Sequence, residues 1–428
     1  MRNTGILGAI LLALAPAPLL ASAPWVESWG TALPMQPPPP SPFSNSRPPP
    51  PPPAEPVGQP APPNPRLPYP ATLEDQTIRM IVRTSVGGEQ FRLEFANRGG
   101  AAAVRMGAVH AALAHPDGSI IAGSDRAVTF GGDAELTMFP GARAVSDPIE
   151  LPVGSLAHVA VSVYLPDSTE AETVDEIGLM PTFIAPCNQA ASEALAEPTT
   201  AGAYFWLRGL SVPAADDGGA IIAFGDSITE GYATTFGSHS NWPDLLAERL
   251  QAEPDLKNWS VINTGISGNR VLRNGAGEAA VARFTDDVLS RPGAKWVIVL
   301  ESINDINMSI MPGMPAEQTA TAGQIIAGLG QLVERAHLHG LKIAGGTVMP
   351  TRGLPFYTEQ GEAMRQQVNQ WIRTSGRFDA VIDFDAATRD PADPLRINPA
   401  FDPGDHVHPN DAGNRAMSDA IDLDIFRD

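Results

Sequence analysis

A few residues in this chain stand at spacings that suit acyl-transfer chemistry. The stretch "AFGDSITEG" (Ala223–Gly231) sets Ser227 between Asp226 and Ile228, with Gly225 and Gly231 close on either side. Near the C-terminus, "DPGDHVHPNDAG" carries Asp405, His406 and His408. A serine hydroxyl is a weak nucleophile until a neighbouring imidazole takes its proton. The imidazole in turn needs a carboxylate to fix its tautomer and stabilise its charged form. Asp405 and His408 are three residues apart, so one helical turn would set the carboxylate against the ring nitrogen turned away from Ser227. A tetrahedral intermediate also needs donors aimed at its oxyanion. The backbone N–H of Ser227, the backbone N–H of Gly268 in "NTGISGNR" and the side-chain amide of Asn304 in "ESINDIN" suit that task. Glycine at 268 lets the backbone come close to a substrate.

These residues need a scaffold that gathers them. After "VPAADDGG" the sequence alternates buried-type strands with helical segments: "AIIAFG", "WSVINTG", "KWVIVLE", "LKIAGGTVM" and "AVIDF". Between the third and fourth lies "AGQIIAGLGQLVERAHLHG". Ile325, Ile326, Leu329, Leu332, Val333 and Ala336 share one helical face there, and Gly340 stands at the expected C′ position. Five such units predict a parallel sheet covered by helices on both faces, over residues 217–428. In such a sheet functional groups collect beyond the carboxyl ends of the strands. Ser227 follows the first strand, Gly268 the second and Asn304 the third, while Asp405 and His408 come after the fifth.

Ahead of it, residues 24–216 read as a β-sandwich. "WVESWGTAL" resembles an edge strand. In "IRMIVRTSVGGEQFRLEF", Ile78, Met80 and Val82 alternate before Gly87-Gly88, and Phe91, Leu93 and Phe95 alternate after it, which predicts a hairpin with one buried face. "HVAVSVYL" repeats the alternation through Val159, Val161, Val163 and Leu165. Residues 37–70 interrupt this region with a proline-dominated insertion, six of them consecutive at Pro48–Pro53. Such a segment cannot build ladders or helices and is expected as polyproline II or a solvated insertion.

The chain of 428 residues carries a net charge of −20, which argues against a nucleic-acid or anionic-membrane footprint. Residues 1–23 combine Arg2, an apolar run from Ile6 to Leu20 and a closing Ala21-Ser22-Ala23, the pattern of a signal peptide. The expected location is therefore periplasmic or extracellular. No later run reaches the length of a membrane span. The single cysteine, Cys187, leaves no intrachain disulfide and is expected as a partly buried apolar residue. His406 and His408 share the spacing of a metal-binding pair, but no third ligand stands in a recognisable frame, so no metal and no cofactor are expected. Asp226 is expected to hydrogen-bond the backbone of the nucleophile turn. Trp242, Phe356 and Tyr357 could line a cleft or simply pack.

The blocks "FGDSITEG", "NTGISGNR", "INDI" and "DHVHPN" resemble the four signatures of the SGNH, or GDSL-type, esterase superfamily. The resemblance runs from about Gly218 to the C-terminus. Thr229 rules out the G-x-S-x-G elbow of α/β-hydrolases. The resemblance implies a flavodoxin-like three-layer α/β domain, with Ser227 as nucleophile, His408 as base and Asp405 as its orienting acid. It also implies Gly268 and Asn304 as oxyanion donors, in agreement with the reading from chemistry. One position departs from the pattern, because Ser302 stands where the asparagine block usually carries glycine. "RAHLHGLKIAGGTVMP" and "GRFDAVIDFDAATRDP" resemble the branch that includes xylanolytic acetyl esterases. The expectation is thus an exported serine esterase that removes short acyl groups, acetyl foremost, from plant cell-wall carbohydrate such as xylan. The alternatives are a GDSL lipase or arylesterase of broad specificity, and an inactive glycan-binding protein. The presence of Ser227, Asn304, Asp405 and His408 argues against the last. Oligomeric state is not legible.

Overall fold

The computed structural model describes residues 24–34 and 67–427. The expected leader and most of the proline insertion lie outside the described residues.

The C-terminal region is built on five parallel strands: β1 (Gly219–Gly225), β2 (Trp259–Gly265), β3 (Ala294–Leu300), β4 (Lys342–Gly346) and β5 (Ala380–Ile382). Their order in the sheet is 2-1-3-4-5. β1 is an interior strand, with Ile222 opposite both Ile262 and Val297, and every one of its residues is buried. An all-apolar strand with no alternation is what burial on both faces selects. The strand order reverses at β1, and its two neighbours lie on opposite sides of it. In open α/β sheets a binding crevice lies outside the carboxyl ends of the strands at such a point.

Helices flank the sheet: α1 (Ser227–Glu230), α2 (Trp242–Ala252), α3 (Ala280–Phe284, continued by a π turn Thr285–Leu289), α4 (Ile303–Ile310), α5 (Ala322–Leu338), α6 (Glu359–Thr374), α7 (Phe384–Thr388) and α8 (Asp411–Asp419). Their ends are written locally. Asn241 caps α2 through the Asp244 N–H, and Thr321 and Gln324 form a reciprocal capping box on α5. Gly340 has φ 73° just past the end of α5, the left-handed turn that glycine accepts most readily. The predicted apolar face of α5 is buried at Ile325, Leu329, Leu332, Val333 and Ala336.

The N-terminal region is antiparallel. One sheet orders Trp25–Gly30, Leu207–Pro213, Arg92–Ala96 and Arg143–Val145, so the first strand is indeed at an edge. The other orders Thr199–Ala201, Thr182–Pro186, Gln76–Arg83, His158–Leu165, Ala108–Leu113 and Arg126–Ala127. The expected hairpin is overturned: Gln76–Arg83 and Arg92–Ala96 belong to different sheets. Ile78, Met80 and Val82 are buried, but so are Thr77, Arg79 and Ile81 between them, so Gln76–Arg83 is covered on both faces, while Arg92–Ala96 buries Leu93, Phe95 and Ala96. The glycine pair makes a corner, where Gly88 bridges to Val153 and a Cβ on Gly87 would come within 2.6 Å of the Val153 carbonyl. Cys187 is also corrected. It is exposed, in a φ 52° turn that follows the Thr182–Pro186 strand.

The two regions share a buried polar seam. Ser260 on β2 donates to the Glu27 carbonyl (2.6 Å), and Ser85 donates to the Val261 carbonyl (2.9 Å). Arg291, ahead of β3, pairs with the Glu27 carboxylate at 2.9 Å, and both side chains are inaccessible to solvent.

Candidate active site

Ser227 is the first residue of α1, directly beyond the carboxyl end of β1. Asp226 has extended backbone angles (φ −99°, ψ −153°), and its carboxylate accepts from the Ile228 N–H at 3.0 Å. This side chain fixes the angle at which the chain turns from strand into helix, as the sequence suggested. Gly231, at φ 102°, ends the short helix, and its N–H returns to the Ser227 carbonyl.

The hydroxyl of Ser227 lies 2.8 Å from His408 Nε2, across 181 residues of sequence. His408 Nδ1 lies 2.7 Å from Asp405 Oδ2. An ionised carboxylate only accepts hydrogen bonds, so Nδ1 carries the proton and Nε2 is left to accept from the serine. The expected helical turn between Asp405 and His408 is not what joins them. His406 takes φ 66°, which breaks any helix, and Asp405 Oδ1 instead accepts from the Val407 and His408 N–H groups, each at 3.0 Å. One carboxylate therefore shapes the loop with one oxygen and orients the imidazole with the other. Burial alone would raise the Asp405 pKa, but the His408 ring and those two N–H groups outweigh it and hold the carboxyl below its usual value. His406 turns to Asp402 at 2.6 Å and does not share a ligand frame with His408.

Asn304 lies in the first turn of α4, beyond the end of β3. Its Nδ2 donates one hydrogen bond, 2.9 Å long, to the Asn269 carbonyl, and an amide nitrogen has a second hydrogen to offer. Gly268 sits in the turn after β2 at φ 78°, where an added Cβ would approach that of Ala276 to 3.0 Å. Ser302 adopts φ 114°, ψ −23°, the conformation a glycine would hold, and its buried hydroxyl has no partner among the described residues. The turn that presents Asn304 thus keeps its glycine-like shape without the glycine.

Sequence reasoning missed several residues. Tyr232 lays its ring against that of His408, with centroids 4.6 Å apart. Beneath the strand ends lies Arg283, fully buried on α3. It donates to the Gly225 carbonyl (2.8 Å), the Thr264 carbonyl (2.7 Å) and Asn269 Oδ1 (2.9 Å), and pairs with Asp287 (3.2 Å) and Glu301 (3.3 Å). Asp226 and Glu301 are both buried. Desolvation pushes Asp226 up to about 7, and desolvation with the nearby Asp226 charge pushes Glu301 well above its usual range, although Arg283 opposes both. Of the undecided aromatics, Trp242 is fully buried against Phe384 and is a packing residue.

Residues 223–416 match the GDSL-like Lipase/Acylhydrolase family. The C-terminal region is a GDSL-type acylhydrolase. As such it is a carboxylic ester hydrolase of the SGNH superfamily. No curated protein sequence matches the chain significantly. Among solved structures, the acylhydrolase region is similar to a putative lipolytic protein of the G-D-S-L family from Desulfitobacterium hafniense (18% identity, 47% of this chain and 96% of that one, TM-score 0.36). It is also similar to a catalytic mutant of Axe2, an acetylxylan esterase from Geobacillus stearothermophilus (23% identity, 47% and 91%, TM-score 0.37). A third is LAE5, an alpha/beta hydrolase enzyme from the metagenome of Lake Arreo (21% identity, 48% and 94%, TM-score 0.39). Among the described residues of this acylhydrolase, no group of three or more His, Cys, Asp or Glu side chains is arranged to hold a metal, and no helix is long and apolar enough to cross a membrane.

Proposed function

We propose that the acylhydrolase is a serine esterase that removes short acyl groups, acetyl foremost, from plant cell-wall carbohydrate such as xylan. The mechanism is carried by one observation, the continuous chain from Ser227 Oγ to His408 Nε2 (2.8 Å) and from His408 Nδ1 to Asp405 (2.7 Å). In this reading Ser227 Oγ attacks the ester carbonyl carbon while its proton passes to His408 Nε2. Asp405 stabilises the imidazolium without taking the proton. The oxyanion is held by the N–H groups of Ser227 and Gly268 and by the free hydrogen of the Asn304 amide. Collapse breaks the C–O bond, and the His408 imidazolium gives its proton to the departing sugar oxygen, which leaves as a hydroxyl. Water, deprotonated by the same imidazole, then attacks the acyl-enzyme, and as the acid leaves the imidazolium returns that proton to Ser227 Oγ.

The substrate class rests on the resemblance of "RAHLHGLKIAGGTVMP" and "GRFDAVIDFDAATRDP" to xylanolytic acetyl esterases, and export rests on the leader-like residues 1–23. The test is acetate release from acetylated xylan, run beside p-nitrophenyl esters of increasing acyl length, for wild type and Ser227→Ala. The expected result is acetate from the polymer, rates that fall steeply beyond short acyl chains, and a variant without turnover. Equal cleavage of long chains with xylan untouched would replace the substrate reading with a broad lipase or arylesterase. Activity in Ser227→Ala would remove the mechanism.

A further inference from the structure

The residue that touches both halves of the oxyanion apparatus is Asn269. It follows Gly268 in the chain, so the position of its backbone sets the direction of that turn. Its carbonyl takes one of the two amide hydrogens of Asn304, which orients the other. Asn269 is itself 1% exposed and held on three sides. Its Nδ2 donates to the Ala276 carbonyl (3.0 Å) and the Glu278 carbonyl (2.8 Å), and its Oδ1 accepts from Arg283 Nε (2.9 Å). The other arms of the Arg283 guanidinium hold the carbonyls of Gly225 and Thr264, the residues at or next to the ends of β1 and β2. Its charge is matched by Asp287, and it also lies 3.3 Å from Glu301, which follows β3. The ring of Phe224 lies 4.0 Å from its central carbon. A planar fork with five donors can span these acceptors at once, and an ammonium cannot.

We propose that Asn269, clamped by Arg283, is the positioning residue of the oxyanion hole: it fixes the Asn304 amide and the Gly268 turn relative to one another and to the strand that delivers Ser227. Neither side chain touches substrate. Preorganised donors stabilise a transition state only if they are already aimed when charge develops. A donor amide free to swing would lose part of that benefit without losing substrate affinity. The proposal rests on the reading of Asn304 as an oxyanion donor.

A double-mutant cycle separates the two ideas. Asn269→Ala is measured in the wild-type and Asn304→Ala backgrounds, with folding checked by circular dichroism. Alone it is expected to lower kcat about 10-fold or more, with KM within about twofold, a fraction of the 10²–10³ loss typical for removing a whole donor. In the Asn304→Ala background its cost should shrink by at least threefold, because the amide it positions is gone. A cost unchanged within that factor overturns the proposal while leaving the donor intact. A full wild-type rate in Asn304→Ala instead overturns the reading beneath it. If Asn269→Ala does not fold, Arg283→Lys enters the same cycle. It keeps the charge opposite Asp287 and Glu301 but cannot hold all three oxygens. The same shrinkage is expected, and the same equality refutes.

Discussion

Replacing Ser302 by glycine should stabilise this protein without changing its rate. Ser302 holds φ 114° in the turn between β3 and α4, a region where an L side chain is strained by about 1–3 kcal/mol. It is wholly buried and its hydroxyl has no partner among the described residues, which costs about another 1–3 kcal/mol. Glycine relieves both terms but loses about 0.5–1 kcal/mol through the greater freedom of the unfolded chain. Taking the lower half of each range, the net gain is about 2 kcal/mol. For a chain of this size that is a few degrees in Tm, about 4 °C.

Ser302→Ala separates the two contributions. Alanine removes the unpartnered hydroxyl and keeps the strain, so its gain should be about 1 kcal/mol smaller than that of glycine. Both variants should keep kcat and KM within about twofold, because the backbone that carries Asn304 already has the glycine conformation. The assay is denaturant or calorimetric unfolding of the three proteins beside their ester kinetics. An alanine variant as stable as the glycine variant would show that the strain at 302 is no larger than the ~0.5–1 kcal/mol that glycine loses through the unfolded chain. A glycine variant less stable than wild type would refute the whole account.

Two further predictions concern the charges behind the site. Burial lifts the Asp226 carboxyl to about 7, so between about pH 4 and 7 the native state keeps a proton that the unfolded chain releases. Native stability is therefore lost as pH rises through that window. Asp226→Asn keeps the oxygen that accepts from Ile228 and removes the titration. Its Tm relative to wild type should climb from pH 4 to 7 and level off above, and parallel curves would contradict the assignment. At the seam between the regions, Arg291→Met leaves the Glu27 and Asp287 carboxylates without one of their cations. The expected loss is about 3–5 kcal/mol, read from the urea midpoint, and an unchanged midpoint would show that the seam carries no net stability.

The reach of the sequence differs between the two regions for a physical reason. A parallel sheet with both faces covered demands near-continuous apolar strands, so all five announce themselves within a residue or two of their observed ends, except that β4 stops three residues sooner. Ser227, His408 and Asp405 stand out in the sequence because acyl-transfer chemistry restricts the residue types, and the structure brings the three side chains to one edge of the sheet. In the antiparallel region, alternation does not tell which sheet a strand joins, nor that Gln76–Arg83 is covered on both faces. That is why Gln76–Arg83 and Arg92–Ala96 looked like a hairpin. The Asp405–His408 pair shows a related limit. Spacing predicted the contact, yet φ 66° at His406 and the N–H groups bound by Asp405 made it through a loop and not a helix. Arg283 gave no signal, because an arginine inside an amphipathic segment reads as solvated until its carbonyl partners are known.

That arginine also explains how the N-terminal region bears on the chemistry. Asp287, which pairs with Arg283 under the strand ends, lies 3.3 Å from Arg98 of the N-terminal region and 3.7 Å from Arg291, which in turn holds Glu27. Asp287 is buried, and by itself that would raise its pKa, but four arginines, Arg283, Arg98, Arg291 and Arg208, hold the carboxyl below its usual value. A buried carboxylate so placed is stable only while its cations remain, since an uncompensated charge in that interior costs several kcal/mol. The network therefore does not end at the boundary between the regions. The N-terminal region supplies Arg98 and Glu27 to the same set of charges that fixes Asn269, and through it the amide of Asn304. Buttressing of the site follows from these contacts without any substrate having to touch the antiparallel sheets.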